Sequence, residues 1–253
     1  MSDLDPMHFE GVSGKYAEAR PPYPPSLWQD VLATDLVAPG RRALDLGAGT
    51  GQATEVLLAH GMDVVAVEPG ANLAATIEER FPRATVIRAR AEDIEPSEHS
   101  FDLAVIATAL HWMDLGIVLP IIHRSLNDNG RLLVWRNVFG DPTAEITPFR
   151  REVQRIVESR GVGRVGNPEN SQVTADKIAH SGLFAVERIS RYSWAIDLTT
   201  DQVRALFRTF SDWTPREVDV VACAVDKLGG RVSENYTSWL ISATPQASQM
   251  SPL

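Results

Sequence analysis

Between Gly40 and about Arg136, short apolar runs alternate with stretches whose apolar positions recur every three or four residues. A parallel α/β sheet, in which strands buried on both faces alternate with one-sided helices, has this pattern. It predicts strands at 43–46, 64–67, 85–88, 103–107 and 132–135, with helices near 51–60, 71–81 and 114–126. Leu73, Ile77 and Phe81 mark the inner face of the second of these helices. Before the sheet, Leu27, Trp28, Val31, Leu32 and Leu36 define an amphipathic helix that starts after Pro24-Pro25. Asn127-Asp128-Asn129-Gly130 is a turn signal expected to precede the fifth strand.

The pattern loosens beyond the fifth strand. A helix over 149–159 is followed by a Gly-rich polar segment, 161–168, and together they read as an insertion suited to a lid. Two further strands (186–196 and 236–243) and two helices (200–210 and 214–228) close the chain before a polar tail, 246–253, expected to be disordered. The organisation expected is an arm and helix over 1–40, an α/β core over 41–138, an insertion over 139–182 and closing strands and helices over 183–245. No repeat is visible.

The first strand runs into the most telling stretch, Ala43-Leu44-Asp45-Leu46-Gly47-Ala48-Gly49-Thr50-Gly51. Glycines at 47, 49 and 51, between a strand and a helix, permit a sharp turn and close approach of main chain to a ligand. Such a turn suits a nucleotide-like ligand across the first crossover of an open α/β sheet. The dinucleotide fingerprint is G-x-G-x-x-G, whereas here Gln52 occupies the position of its third glycine, leaving G-x-G-x-G over 47–51. Seventeen residues on, Glu68 ends the second strand, where a carboxylate accepts from two ribose hydroxyls at once.

Composition changes this picture little. The 253 residues are 44% hydrophobic and 23% charged, enough for one full core. A net charge of −9 without a Lys/Arg run argues against nucleic acid or an anionic membrane as partner. Cys223, alone and within an apolar run, reads as a buried structural thiol, and no metal site is expected. Lacking a leader or an apolar span, the chain is expected to be cytoplasmic.

The loop D-x-G-x-G-x-G resembles motif I of the class I S-adenosylmethionine (SAM)-dependent methyltransferases, and other segments fit the same family. Phe101-Asp102-Leu103-Ala104-Val105, followed by His111-Trp112, is similar to the fourth-strand segment of its small-molecule branch. Tyr16-Ala17-Glu18-Ala19-Arg20-Pro21-Pro22-Tyr23-Pro24 resembles the Y-x-x-x-R-P-x-Y-P opening segment of the trans-aconitate and ubiquinone-pathway types. The likeness covers residues 8–136. It implies a Rossmann-like, seven-stranded, mostly parallel sheet of order 3-2-1-4-5-7-6 with strand seven antiparallel and helices on both faces.

The resemblance implies a SAM site, with S-adenosylhomocysteine (SAH) as product, built from Asp45, Gly47, Ala48, Gly49, Gly51, Glu68 and Pro69. Ala91 and Glu92 would lie on the adenine side, and Ala107 and Trp112 after the fourth strand. Tyr16 and Arg20 would close from the arm, Arg20 pairing with the methionine carboxylate or else stapling the arm to the domain. Trp112 is either a pocket wall or a core residue. His111 is the candidate base, ahead of His8, Asp114 and His123. The function implied is methyl transfer to a small organic acceptor, at oxygen before nitrogen or carbon. A catalytically silent SAM-binding protein is the alternative, and a nicotinamide dehydrogenase conflicts with Gln52. Oligomeric state is left open.

Overall fold

The central apolar runs form strands because both of their faces are covered. In β1 (Arg42–Leu46) and β4 (Phe101–Ala107), Ala43, Leu44, Leu46 and Leu103 to Ile106 are all fully buried. β2 (Asp63–Val67) and β3 (Thr85–Ile87) lie on one side of β1, while β5 (Leu126–Phe139) lies beyond β4. β6 (Phe184–Thr199) and β7 (Arg231–Pro245) complete a seven-stranded sheet of order β3-β2-β1-β4-β5-β7-β6. Strands one to five are parallel, with Leu46 opposite Val67 and Asp45 opposite Val105. Gln246 N–H bonds the Leu183 carbonyl at 2.8 Å and Thr200 N–H the Gly230 carbonyl at 3.3 Å. The end of β7 therefore meets the start of β6, and strand seven is antiparallel.

The computed structural model describes residues 19–161, 170–210 and 212–247. They form two compact units. The larger holds 23–136, 170–192 and 239–247; the smaller holds 19–22, 137–161, 193–210 and 212–238. Tyr16, His8, most of the Gly-rich segment and the end of the tail lie outside the described residues. Among the described residues, no helix is long and apolar enough to cross a membrane.

In the larger unit, α1 (Pro25–Leu32) buries Leu27 and Val31 against β1 and β5 side chains. Pro25 opens it because the first helical N–H has no intrahelical partner to lose. Tyr23, Trp28 and Trp135 meet edge-on in a triangle, with centroids 5.9, 5.9 and 5.6 Å apart. Such pairs each add about 1 kcal/mol beyond the area they bury. Trp135 is thus a core residue. α2 (Gln52–Ala59), α3 (Ala71–Arg80) and α4 (Leu115–Ser125) fall where the periodicity placed them.

In the smaller unit, Phe149, Val153 and Ile156 of α5 (Pro148–Ser159) pack on Phe207 of α7 (Thr200–Phe207) and on Val218, Val221 and Val225 of α8 (Pro215–Lys227). Cys223 was expected to be buried and is exposed. The apolar run over 220–225 is helical, and its buried positions are Val221, Ala222, Ala224 and Val225, with Val218 one turn earlier. That spacing leaves residue 223 on the outer side.

Two further expectations needed correction. Asn127 to Gly130 do not precede β5; they form an irregularity within it, the pairing stepping from Phe101–Leu126 to Leu103–Arg131. Gly130 is required there, since a Cβ would stand 2.8 Å from the Asn127 carbonyl. A helix at Ser171–His180 (α6) was not foreseen. Its short polar sequence carries a weak stripe, and Asn170 organises its start by accepting from the N–H groups of Gln172 and Val173. Replacing that cap, Asn170→Ala, is expected to cost about 1 kcal/mol in urea unfolding, and no loss would mean the cap is idle.

Candidate functional site

The strand order reverses between β1 and β4, and the crevice outside the carboxyl ends of the strands at such a switch point is where open α/β sheets bind ligands. The glycine loop occupies this place. Gly47 and Ala48 N–H both bond the Val67 carbonyl, at 2.9 and 3.1 Å, and Gly51 N–H bonds the Ala48 carbonyl at 2.9 Å. Gly49 N–H donates to Glu68 Oε2 at 2.8 Å, and Gly70 N–H donates to Oε1 at 2.8 Å. Four N–H groups of the loop are therefore spent within the protein. A phosphate cradle presents such groups to its ligand, so this loop suits a nucleoside and not a pyrophosphate.

The three glycines have different reasons. All have positive φ (+67°, +60° and +85°). A Cβ at Gly47 would meet Ala109 at 2.4 Å, and one at Gly51 the Phe81 ring at 2.7 Å. Gly49 alone has open space where a Cβ would stand. Packing explains the outer two, whereas the middle one borders room for something else.

Glu68 is 6% exposed. A carboxylate oxygen can accept more than one hydrogen bond. Pro69 follows, half-buried. Asp45 is fully buried, and its Oδ2 accepts from Thr54 Oγ1 at 2.6 Å, tying β1 to the first turn of α2, while Oδ1 has no hydrogen-bond partner. Burial pushes the Asp45 carboxyl up to about 6, opposed by hydrogen bonds from the Thr54 side chain and backbone and reinforced by nearby Glu68.

Ala91 is buried in a single turn of 3-10 helix at Ala91–Asp93. Glu92 Oε1 accepts from the Asp114 N–H at 2.9 Å and pairs with Arg90 at 3.3 Å. Burial would raise the Glu92 carboxyl, yet these bonds hold it below its ordinary value. Asp114 itself caps α4 by accepting from Gly116 N–H.

After Ala107, Thr108 adopts φ +63°, rare for a β-branched residue. Its N–H bonds the Trp135 carbonyl at 2.8 Å, and its Oγ1 lies 2.8 Å from the Tyr23 hydroxyl. Trp112 is half-buried, with its ring 4.6 Å from that of exposed His111. Arg136 Nη1 lies 3.0 Å from His111 Nδ1. Because a guanidinium only donates, Nδ1 accepts and the neutral ring carries its proton on Nε2. His123 bonds the Gln246 carbonyl and packs on Phe184.

The residues from Asp45 to Trp112 thus share the larger unit. Arg20 belongs to the smaller one, where it donates to the Thr209 carbonyl at 3.2 Å and lies over the Phe210 ring. Thr108 and Arg136 were not anticipated. Nothing local in Ala107-Thr108-Ala109 announces a left-handed residue, and Arg136 reaches His111 only through strand pairing.

Residues 44–134 match the model of a methyltransferase domain. An uncharacterized methyltransferase of Mycobacterium tuberculosis is 35% identical over 169 residues, which cover 66% of this chain and 64% of that relative's length. A methyltransferase-like protein of Schizosaccharomyces pombe is 26% identical over 82% of this chain and 79% of its own. Among solved structures, a protein of Anaeromyxobacter dehalogenans described as a type II methyltransferase superposes with a TM-score of 0.59 at 25% identity, covering 89% of this chain and 97% of that one. The domain match, the methyltransferase relatives and the shared fold together support a class I SAM-dependent methyltransferase, although the chain spans just under two thirds of the length of its mycobacterial relative. Solved structures that share the fold include a geranyl diphosphate methyltransferase in complex with SAM, at 14% identity and a TM-score of 0.51, covering 91% of this chain and 85% of that one.

Asp45 precedes the glycine loop, and its raised carboxyl gives a signed prediction. A carboxyl that binds its proton more tightly when folded supports the fold at low pH and loses that support as pH rises. The loss spans the interval from the ordinary 3.8 to about 6. Asp45→Asn cannot ionise, so its melting temperature relative to the parent should climb across that interval and then level off. A difference that stays constant with pH would show that Asp45 titrates normally.

Proposed function

We propose that this chain binds SAM at the glycine loop and transfers its methyl group to a small organic acceptor, at oxygen in preference to nitrogen or carbon. The observation that carries the reading is the Glu68 carboxylate, buried beside open space at Gly49, with both oxygens held by main chain. Glu68 is assigned to the ribose hydroxyls, and Gly47, Ala48, Gly49 and Gly51 to the nucleoside's approach. Asp45 braces the loop from beneath. Pro69, Ala91 and Glu92 are assigned to the adenine side, with the Glu92 carboxylate already committed to Arg90 and Asp114. Ala107 and Trp112 border the reacting end. Arg20, and Tyr16 beyond the described residues, are assigned to the arm that covers the donor, and 139–182 to an acceptor lid.

The donor supplies an activated sulfonium methyl. What the protein contributes is alignment for in-line displacement and exclusion of water. Thr108, strained at the end of β4 and held by Tyr23, sets the floor of that alignment. His111 is the candidate base for an acceptor that must lose a proton, and it acts once Arg136 leaves Nδ1. An acceptor whose nucleophile is already anionic needs no such step.

Calorimetry with SAH tests the reading. The parent should bind, and Glu68→Ala should weaken binding by about 1–3 kcal/mol through lost charged hydrogen bonds. Gly49→Val should fold and fail to bind. Unchanged affinity in either variant removes that residue from the site. His111→Ala should keep SAH affinity and lower SAH release from turnover by about a hundredfold, the usual scale of general-base help. Near-normal rates across a pH series would eliminate it as the base.

A further inference from the structure

Helix α3 meets the glycine loop and its acid at both of its ends. Gly70, which precedes the helix, donates its N–H to Glu68 Oε1 at 2.8 Å. The last residue, Arg80, returns to the other side of the loop, where Nη1 donates to the Thr50 carbonyl at 3.1 Å. Its Nη2 pairs at 3.2 Å with Glu55, in the first turn of α2. All of these residues belong to the larger unit.

Apolar packing closes the same joint. The Arg80 guanidinium lies over the Phe81 ring, 4.7 Å from its centroid, and that ring is the one a Cβ at Gly51 would strike. Phe81, Ala84 and Val86 pack on a cluster of Ala48, Ala66 and Ile77, so the loop, β2 and α3 share one apolar seam. Gly51 therefore has Phe81 against its Cα while Arg80 holds the carbonyl just before it.

That carbonyl controls more than itself. Thr50 is 5% exposed, and the hydrogen-bond ladder of α2 begins one residue later, with the Glu55 N–H on the Gly51 carbonyl at 2.8 Å. The Thr50 carbonyl and the Gly51 N–H belong to one planar peptide unit, so fixing the direction of one fixes the other. The Gly51 N–H closes the turn on the Ala48 carbonyl at 2.9 Å, beside the open space at Gly49. Arg80 thus sets the plane of the peptide that shapes this turn. The ion pair to Glu55 is a lesser matter, because its side chains are 42% and 55% exposed and such pairs contribute little.

We propose that Arg80 is a positioning residue of the donor site, holding the Thr50–Gly51 peptide in the orientation that receives the nucleoside. The inference rests on the SAM reading and deepens it by naming what fixes the loop from outside. Arg80 acts through the main chain of the loop and not on the donor itself.

Calorimetry with SAH, and amide exchange followed by NMR on the unliganded full chain, test this. Arg80→Met keeps the stem over Phe81 and removes both donors, and at a side chain 42% exposed it should fold. It should weaken SAH binding about fivefold and speed exchange at Gly51 about as much, with exchange in β1 unchanged. Arg80→Lys, which keeps a donor for the carbonyl, should stay within about twofold of the parent. Glu55→Ala should match the parent in both readouts. A merely structural Arg80 would lower the melting temperature of Arg80→Met and leave both readouts at parent values, which overturns the proposal. So would Glu55→Ala weakening SAH as much as Arg80→Met, or Arg80→Lys failing to restore affinity. Failure of the parent to bind SAH would strike the donor reading instead, and Gly51 exchange then decides the role of Arg80 by itself.

Discussion

The Glu68 carboxylate is the constraint on which the rest of the site depends. It sits almost out of water at the end of β2, and its two oxygens fasten the Gly49 and Gly70 N–H groups to one rigid point. Charge-assisted bonds of this kind are about twice as strong as neutral ones, which compensates for desolvating the acid. These bonds help to fix the loop in its left-handed turns. Asp45 does the corresponding work one strand away, through Thr54, and the proximity of the two acids raises Asp45 further above its ordinary range.

The parallel sheet supplies the rigidity that these bonds need. Leu46 pairs with Val67 and Asp45 with Val105, so the ends of β1, β2 and β4 finish at one level. Thr108 then leaves β4 in a conformation that costs energy for a β-branched residue. The Trp135 carbonyl and the Tyr23 hydroxyl hold it there, and both belong to the aromatic triangle that packs α1 onto β5. Strain at the reacting edge is thus balanced by packing elsewhere in the same unit.

Much of this was legible in the chain because burial on both faces writes strands as apolar runs and helices as stripes. The glycine loop and Glu68 were legible because their chemistry is local. Pairings between distant residues were not. Arg136 reaching His111, and Arg80 reaching Thr50, depend on which elements become neighbours, and no periodicity encodes that. Cys223 misled because an apolar run inside a helix still has an outer side. Asn127 to Gly130 misled because a turn-forming sequence can also be absorbed as a strand irregularity. Gly49 and its two neighbours look equivalent in sequence, yet only the surrounding side chains show that two of them answer to packing.

The central claim is that a nucleoside rests on this loop with its sugar held by Glu68. A crystal structure with SAH bound addresses it most directly. The account predicts both ribose hydroxyls on the Glu68 oxygens, with the Gly49 and Gly70 bonds kept and the nucleoside lying over Gly49. A nucleoside seated away from the β1–α2 turn, or a Glu68 that turns aside to leave the sugar unbonded, would contradict it.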